Sequence, residues 1–394
     1  MIIELLIIGY FMVVGIDIRI LGNPVKSGIE EYVDNLLPCL VREGSGTQFK
    51  LFYSSCRNSL PDYNWLKEPN IELYKFNYPN NLLFASSRLL NRPYLDKMVK
   101  GADVFFFPHF FLSSLSPSCK RVTTFHDLSY EHFPEHLTLR KKIWHNLQMI
   151  PEWQAKFSDK IIAVSESTKN DLVNCYKIDP ARIEVIYSGI NEINFKISDR
   201  INWSQLAEFK KLRELPERFI LFLGKLEPRK NIASIVKAFN NLKTNSKYKD
   251  VGLVIAGAKG WLYEDVVGEV NISNYKDQIV FADQIKDNER PLYYWAADVL
   301  VYPSFFEGFG FPPLEAMSCG TPVITSRNSS LPEVVSDTAI MIDPYDVAEL
   351  ELWITKLLDD KKLSELMAKR GLEQVSKFNW RNTAIKTLEA LTKA

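Results

Sequence analysis

Short apolar runs rich in β-branched and aromatic residues recur along this 394-residue chain, separated by stretches long enough for a helix. That rhythm restricts the fold more than any other feature. Strands covered on both faces read as continuous apolar runs, and parallel strands need a crossover between them, usually helical. In the first half the runs are MVVGIDI (12–18), KLFYSS (50–55), IELYKF (71–76), DVFFFP (103–108), VTTFHD (122–127), KIIAVS (160–165) and IEVIYSG (183–189). A polar, irregular stretch from Asn191 to Pro216 reads as a linker (191–216). The rhythm then restarts with RFILFLG (218–224), VGLVIAG (251–257), QIVFAD (278–283), DVLVYPS (298–304), TPVITS (321–326) and AIMIDP (339–344). The spacing predicts an α/β chain of two doubly wound, Rossmann-like parallel-sheet domains, 12–190 and 217–375. Length agrees, because single cores stop growing near roughly 250–300 residues.

Charge and cysteine content exclude several function classes. Lys plus Arg and Asp plus Glu are both 48, so no global field favours nucleic acid, and any basic site must be local. Cys39, Cys56, Cys119, Cys175 and Cys319 are scattered, with no CxxC pair and no His at metal spacing. Reduced, mostly buried thiols are expected, with neither a disulfide framework nor a structural zinc. Residues 1–11 are an apolar surplus ahead of the first strand, either a membrane-surface contact or an upstream start, and Glu4 with no basic leader argues against a signal peptide.

In open α/β sheets, ligands sit beyond the carboxyl ends of the strands. After DVLVYPS comes FFEGFGFPPLEAMSCGTPVI. Gly308 and Gly310 make a turn, and Pro312 with Pro313 opens a helix, whose free amides and positive dipole end suit a diphosphate. Glu315 falls in the opening turn, within reach of ribose hydroxyls, and Glu307 leaves the strand end. An isolated Glu pair is more often a loop acid and a capping acid, but the phosphate turn between these two favours ligand contact.

GKLEPRKN, after the first strand of the second half, places Lys225, Arg229 and Lys230 where a leaving pyrophosphate needs neutralisation, work that a metal performs elsewhere; the plainer alternative is a solvated basic turn. Gly28, in NPVKSGIEEYVDNLL, either lets backbone approach a phosphate or simply opens a helix. His126 with Asp127, in VTTFHDLSY, ends a strand, where an imidazole either contacts a sugar hydroxyl or serves as a structural hydrogen-bonder.

Together these segments resemble glycosyltransferase family 4, retaining enzymes of GT-B architecture, in which two Rossmann-like domains face each other across a cleft. The resemblance runs from Met12 onward, through SGIEEYVDNLL, TFHDLSYEHFPE, AVSESTKNDL, VIYSGIN, LGKLEPRKN and EGFGFPPLEAMSCGTPVITSRNSSLPEV. It implies that Glu307 contacts the transferred sugar, Glu315 the ribose, and Arg229 and Lys230 the diphosphate. Gly28 and Lys225, with Gly308, Phe309, Gly310, Phe311 and Leu314, would meet the donor, and Ile285 the nucleobase. His126 and Asp127 would lie on the acceptor side. The helix at 376–394, with Trp380, would cross back to the first domain.

Many relatives carry Arg where this chain has Lys225, which leaves the division of labour among the three cations open. The EPRKN, TFHDLSY and SSLPEV forms look most like mannosyltransferases of bacterial surface polysaccharide assembly. That likeness implies a cytoplasmic hexosyltransferase using GDP-mannose, or next a UDP-sugar, with a glycan or lipid-linked saccharide as acceptor and no metal or other cofactor. Arg140 to Lys160 mixes cations with Trp144 and Trp153, fitting either a membrane-surface helix or a solvated one with core-facing aromatics. A nicotinamide dehydrogenase would need GxGxxG after the first strand, and VGIDIRILGNPVKSG lacks it. A sugar-nucleotide epimerase or a non-transferring GT-B protein remains the rival class.

Overall fold

The computed structural model describes residues 12–23, 28–145, 149–190 and 203–394. The apolar extension at 1–11 and the linker residues 191–202 lie outside them. The chain divides into two compact units. The first comprises Met1–Leu128, Leu139–Gly189 and Trp380–Ala394, the second Ser129–Thr138 and Ile190–Asn379.

The first unit holds β1 (Met12–Asp17), β2 (Thr47–Ser54), β3 (Ile71–Phe76), β4 (Val104–Phe107), β5 (Lys120–Phe125), β6 (Lys160–Ala163) and β7 (Ile183–Val185). They pair in the order β3-β2-β1-β4-β5-β6-β7, every pairing parallel. All seven runs read from the sequence are strands; in β1, β2, β4, β5 and β6 the Val, Ile and Phe side chains are largely buried in a covered sheet, whereas the edge strand β3 is only partly buried, with Glu72 and Lys75 exposed. The helix Gly28–Glu43 buries Tyr32, Val33, Leu36, Leu37, Leu40 and Val41, one stripe at helical spacing. The C-terminal helix Trp380–Thr392 packs along it, with Trp380 edge-on to Tyr32 and Thr383 bonded to the Tyr187 carbonyl at 2.8 Å.

The second unit holds β8 (Arg218–Leu223), β9 (Val251–Ala256), β10 (Ile279–Phe281), β11 (Val299–Tyr302), β12 (Val323–Ser326) and β13 (Ile340–Ile342), ordered β10-β9-β8-β11-β12-β13 and again parallel. The strand order reverses where β8 meets β11, so the segments after these two strands emerge side by side. Helix Ile232–Lys243 packs on Val347–Asp359, and Phe311–Ser318 on Lys361–Val375.

Two segments depart from the sequence reading. Residues 203–212, assigned to an irregular linker, form the helix Trp203–Leu212, because Leu206 and Phe209 are buried and Phe209 meets the Tyr293 ring edge-on at 5.1 Å. Ser129–Thr138, read as part of the first domain, groups with the second unit through its rings. His132 stacks on Phe306 at 4.9 Å, Phe133 lies 6.3 Å from Phe305, and the His136 carbonyl accepts from Trp261 Nε1 at 2.6 Å.

Candidate functional site

Backbone bonds stitch the two segments that leave β8 and β11. Phe305 N–H donates to the Arg229 carbonyl at 2.8 Å, and Ser304 Oγ does so at 3.0 Å. Arg229 Nη1 in turn donates to the Phe306 carbonyl. The third side of the loop is supplied by the segment after β12. Asn328 Nδ2 donates to the Phe305 carbonyl at 2.8 Å, Glu307 N–H donates to Ser329 Oγ at 2.9 Å, and Ser330 Oγ to the Glu307 carbonyl at 2.8 Å. Three consecutive polar side chains therefore fix the backbone from Phe305 to Glu307.

On that frame Arg229, Lys230 and Glu307 come together. Lys230 Nζ lies 2.6 Å from Glu307 Oε1, and Arg229 Nη1 lies 2.9 Å from Oε2. Glu227 takes the other side of the guanidinium at 2.8 Å, and Tyr302 Oη accepts from Lys230 at 2.6 Å. Glu307 is only 6% exposed and Lys230 7%, so two carboxylates and two cations neutralise one another out of bulk water. Burial works against charge on Glu307, but Arg229 and then Lys230 overcome it and hold the carboxyl at about 2. Burial, with Arg229 beside it, lowers the Lys230 ammonium, which Glu307 and Glu227 partly restore. A carboxylate held this way is an acceptor of hydrogen bonds at neutral pH and not an acid. Lys225 is not part of the cluster; its exposed ammonium sits 5.1 Å from the Trp261 ring centroid.

Beyond Glu307 the chain turns through Gly308 and Gly310 into the helix Phe311–Ser318. Gly310 has φ 103°, the left-handed region, and a Cβ there would stand 2.8 Å from Leu331 Cδ2, so the turn requires glycine. Pro312 and Pro313 carry no N–H, which confines donors in the opening turn to Phe311 and Leu314. Phe309 and Leu314 bury their side chains, leaving backbone as what they present.

Glu315 forms a network of its own. It is 1% exposed; Arg290 Nη1 donates to Oε1 at 2.7 Å and Tyr294 Oη to Oε2 at 2.6 Å. Ile285 is half-buried in the loop between β10 and the helix Arg290–Ala296.

In the first unit, His126 directly follows β5 and Pro108 directly follows β4, adjacent strands in the sheet. The Pro108 carbonyl lies 2.8 Å from His126 Nε2, and a carbonyl can only accept, so the proton is on Nε2 and Nδ1 is the acceptor nitrogen of the neutral ring. Burial lowers the pKa of His126, opposed by the Pro108 bond and then by Asp127 and Glu30, so the ring is neutral at pH 7. Tyr32 meets the ring edge-on at 4.8 Å, and Asp127 is half-buried beside it. Gly28 is the exposed first residue of helix Gly28–Glu43; the four residues before it lie outside the described ones.

Sequence reasoning missed Glu227, Tyr302, Arg290, Tyr294 and the Asn328–Ser330 bracket. Their side-chain types are ordinary, and only the sheet order brings them in. Glu227 alone had a local signal, since it stands two residues from Arg229 in the segment already singled out.

Comparison with known proteins bears on the family and the fold. The family model "Glycosyltransferase Family 4" matches residues 26–192, and "Glycosyl transferases group 1" matches 204–374. O-antigen chain mannosyltransferase B of Escherichia coli is 31% identical over 81% of this chain and 79% of that protein. The serotype-specific mannosyltransferase WbdA of Escherichia coli is 30% identical over 60% of this chain, though over only 29% of its own length. Among solved structures, sucrose-phosphate synthase from Thermosynechococcus elongatus has a TM-score of 0.74 at 21% identity, covering 97% of this chain and 98% of that one. WaaG, a glycosyltransferase involved in lipopolysaccharide biosynthesis, has a TM-score of 0.69 at 15% identity, covering 97% of this chain and 100% of that one. These two structures speak to fold alone. The chain belongs to glycosyltransferase family 4 and is a glycosyltransferase built on the GT-B plan of two parallel-sheet α/β domains.

Proposed function

We propose that this glycosyltransferase moves a hexose with retention of configuration, mannose from GDP-mannose as first choice, onto a glycan or lipid-linked saccharide of a surface polysaccharide. The observation that carries the reading is the convergence of Arg229 and Lys230 on Glu307 at the junction of β8 and β11. The two mannosyltransferase relatives support the choice of sugar.

The chemistry follows from the charges. As the bond from the sugar C1 to the diphosphate oxygen breaks, its electron pair goes to that oxygen, and Arg229 and Lys230 stabilise the growing negative charge. Glu307 and Tyr302 take two of the three donors of the Lys230 ammonium, which leaves capacity for a phosphate oxygen. The acceptor hydroxyl forms its new bond to C1 on the face the diphosphate leaves, and its proton passes to the departing phosphate oxygen. Glu307 accepts hydrogen bonds from the sugar's hydroxyls and fixes its orientation. A carboxylate gripped by two cations is a weakened nucleophile, which favours this front-face route over a glycosyl-enzyme intermediate. The buried Glu315 contacts the ribose, and the neutral His126 offers Nδ1 to the acceptor.

The cations also supply the neutralisation for which other transferases use a metal, so no metal enters the reaction. In the first unit Leu139, Ile143 and Trp144 are exposed among Arg140, Lys141 and Lys142, not core-facing, which supports peripheral contact with an anionic membrane carrying the acceptor.

Thermal stabilisation by GDP, UDP and ADP, followed by transfer assays with the matching sugar donors, tests the donor. The anomeric configuration of the product, read by NMR, tests retention. Stabilisation by UDP with no response to GDP would replace GDP-mannose with the UDP-sugar alternative.

A further inference from the structure

A carboxylate as deeply buried as Glu315 is costly unless it is paired, and here each oxygen has its own partner. Arg290 Nη1 holds Oε1 while its Nη2 holds Asp287 at 2.9 Å, so the guanidinium is pinned at both ends. Tyr294, fully buried, holds Oε2. Both residues project from the helix Arg290–Ala296, which is itself braced. Thr321 Oγ1 donates to the Tyr294 carbonyl at 2.7 Å, Phe209 packs edge-on to Tyr293, and Arg213 Nη2 pairs with Glu289. The orientation of Glu315 is thus set by the protein before any ligand arrives.

Each carboxylate oxygen has two acceptor positions. With one on each oxygen engaged by Arg290 or Tyr294, each oxygen keeps the capacity to accept one more hydrogen bond. That pattern matches a vicinal cis-diol, whose two adjacent hydroxyls donate in parallel. We propose that Arg290 and Tyr294 are positioning residues that clamp Glu315 so that it reads both ribose hydroxyls, making the donor site selective for ribonucleotides over 2′-deoxyribonucleotides. This rests on the assignment of Glu315 to the ribose. Its new content is that the selectivity is built by two residues that do not touch the nucleotide.

Calorimetric binding of GDP against 2′-deoxy-GDP, and of UDP against 2′-deoxy-UDP, to the full-length protein and its variants tests it. A hydrogen bond to a charged group corresponds to roughly ten- to hundredfold in affinity, so the wild type is expected to prefer the ribonucleotide by about tenfold or more. Glu315→Gln, Arg290→Gln and Tyr294→Phe are each expected to bring that ratio within about threefold while affinity for the deoxy form changes little. Arg290→Lys is expected to restore part of it. Tyr294→Phe removes one hydroxyl and serves as the variant that folds should Arg290→Gln not. If Arg290→Gln and Tyr294→Phe keep the full ratio while Glu315→Gln loses it, the positioning role is wrong and the ribose contact stands. Equal loss of both nucleotides in the variants likewise overturns the proposal, and a wild type that does not discriminate overturns the ribose assignment with it.

Discussion

Lys230 Nζ lies 2.6 Å from Glu307 Oε1, an ammonium from the turn after β8 against a carboxylate from the loop after β11. The contact exists because those strands are neighbours at the point where the sheet order reverses, although the residues stand 77 apart in sequence. Glu307 is consequently ionised at any pH at which a cell operates.

The same contact makes stability depend on acid. The Glu307 carboxyl falls from an ordinary 4.5 to about 2 in the folded protein. Its contribution, on the order of 3 kcal/mol, is therefore fully present above about pH 4.5 and fades as pH falls toward 2. Denaturant unfolding followed from pH 6 to pH 2 is expected to show a steeper loss for wild type than for Glu307→Gln. Parallel slopes would mean that the carboxylate is not held as described.

The proposed neutralisation of the leaving diphosphate by Arg229 and Lys230 predicts a rate indifferent to divalent cations. Transfer measured with excess EDTA is expected to match transfer with added magnesium or manganese within about twofold. Replacing Lys230 by Met is expected to lower the rate by about 10²–10³, the usual cost of removing one group that stabilises developing charge.

Much of this was legible in the chain. Thirteen apolar runs announced the thirteen strands of the described residues, most of them because a strand buried on both faces reads as a continuous apolar run, and the edge strand β3 through its Ile, Tyr and Phe content despite the exposed Glu72 and Lys75. The restart at Arg218 announced a second sheet. GKLEPRKN and EGFGFPPLE were found because their residues follow strand ends. What sequence could not show was pairing across the sheet. Nothing local in KLEPRKN distinguishes Lys225, which lies over Trp261, from Lys230, which reaches Glu307. The helix Trp203–Leu212 was hidden because, among its described side chains, Leu206 and Phe209 alone are buried, and Ser129–Thr138 because its rings find partners far along the chain.

A buried ion pair in the first unit tests that unit's frame. Asp17 and Arg19, at the end of β1, are 2.5 Å apart and almost fully buried, with the guanidinium among the rings of Phe52, Phe84 and Phe111. Removing one partner strands the other charge, so Asp17→Asn is expected to cost about 3–5 kcal/mol in chemical unfolding. A change below about 1 kcal/mol would show that the pair carries little.

The proposed membrane contact has a direct readout. Sedimentation with vesicles containing anionic phospholipid is expected to carry down the protein, less so at high salt, and replacing Arg140, Lys141 and Lys142 by Ala is expected to weaken partition tenfold or more, at about 1 kcal/mol per cation. Equal partition onto purely zwitterionic vesicles would count against it.

The decisive measurement is turnover of radiolabelled GDP-mannose by wild type and Glu307→Gln, with GDP affinity measured on the same preparations. Wild type is expected to turn the donor over, and the variant to do so about 10²–10³ more slowly while GDP affinity stays within about threefold. Full transfer by Glu307→Gln would contradict the placement of Glu307 against the sugar, and with it the assignment of the β8–β11 junction as the reaction centre.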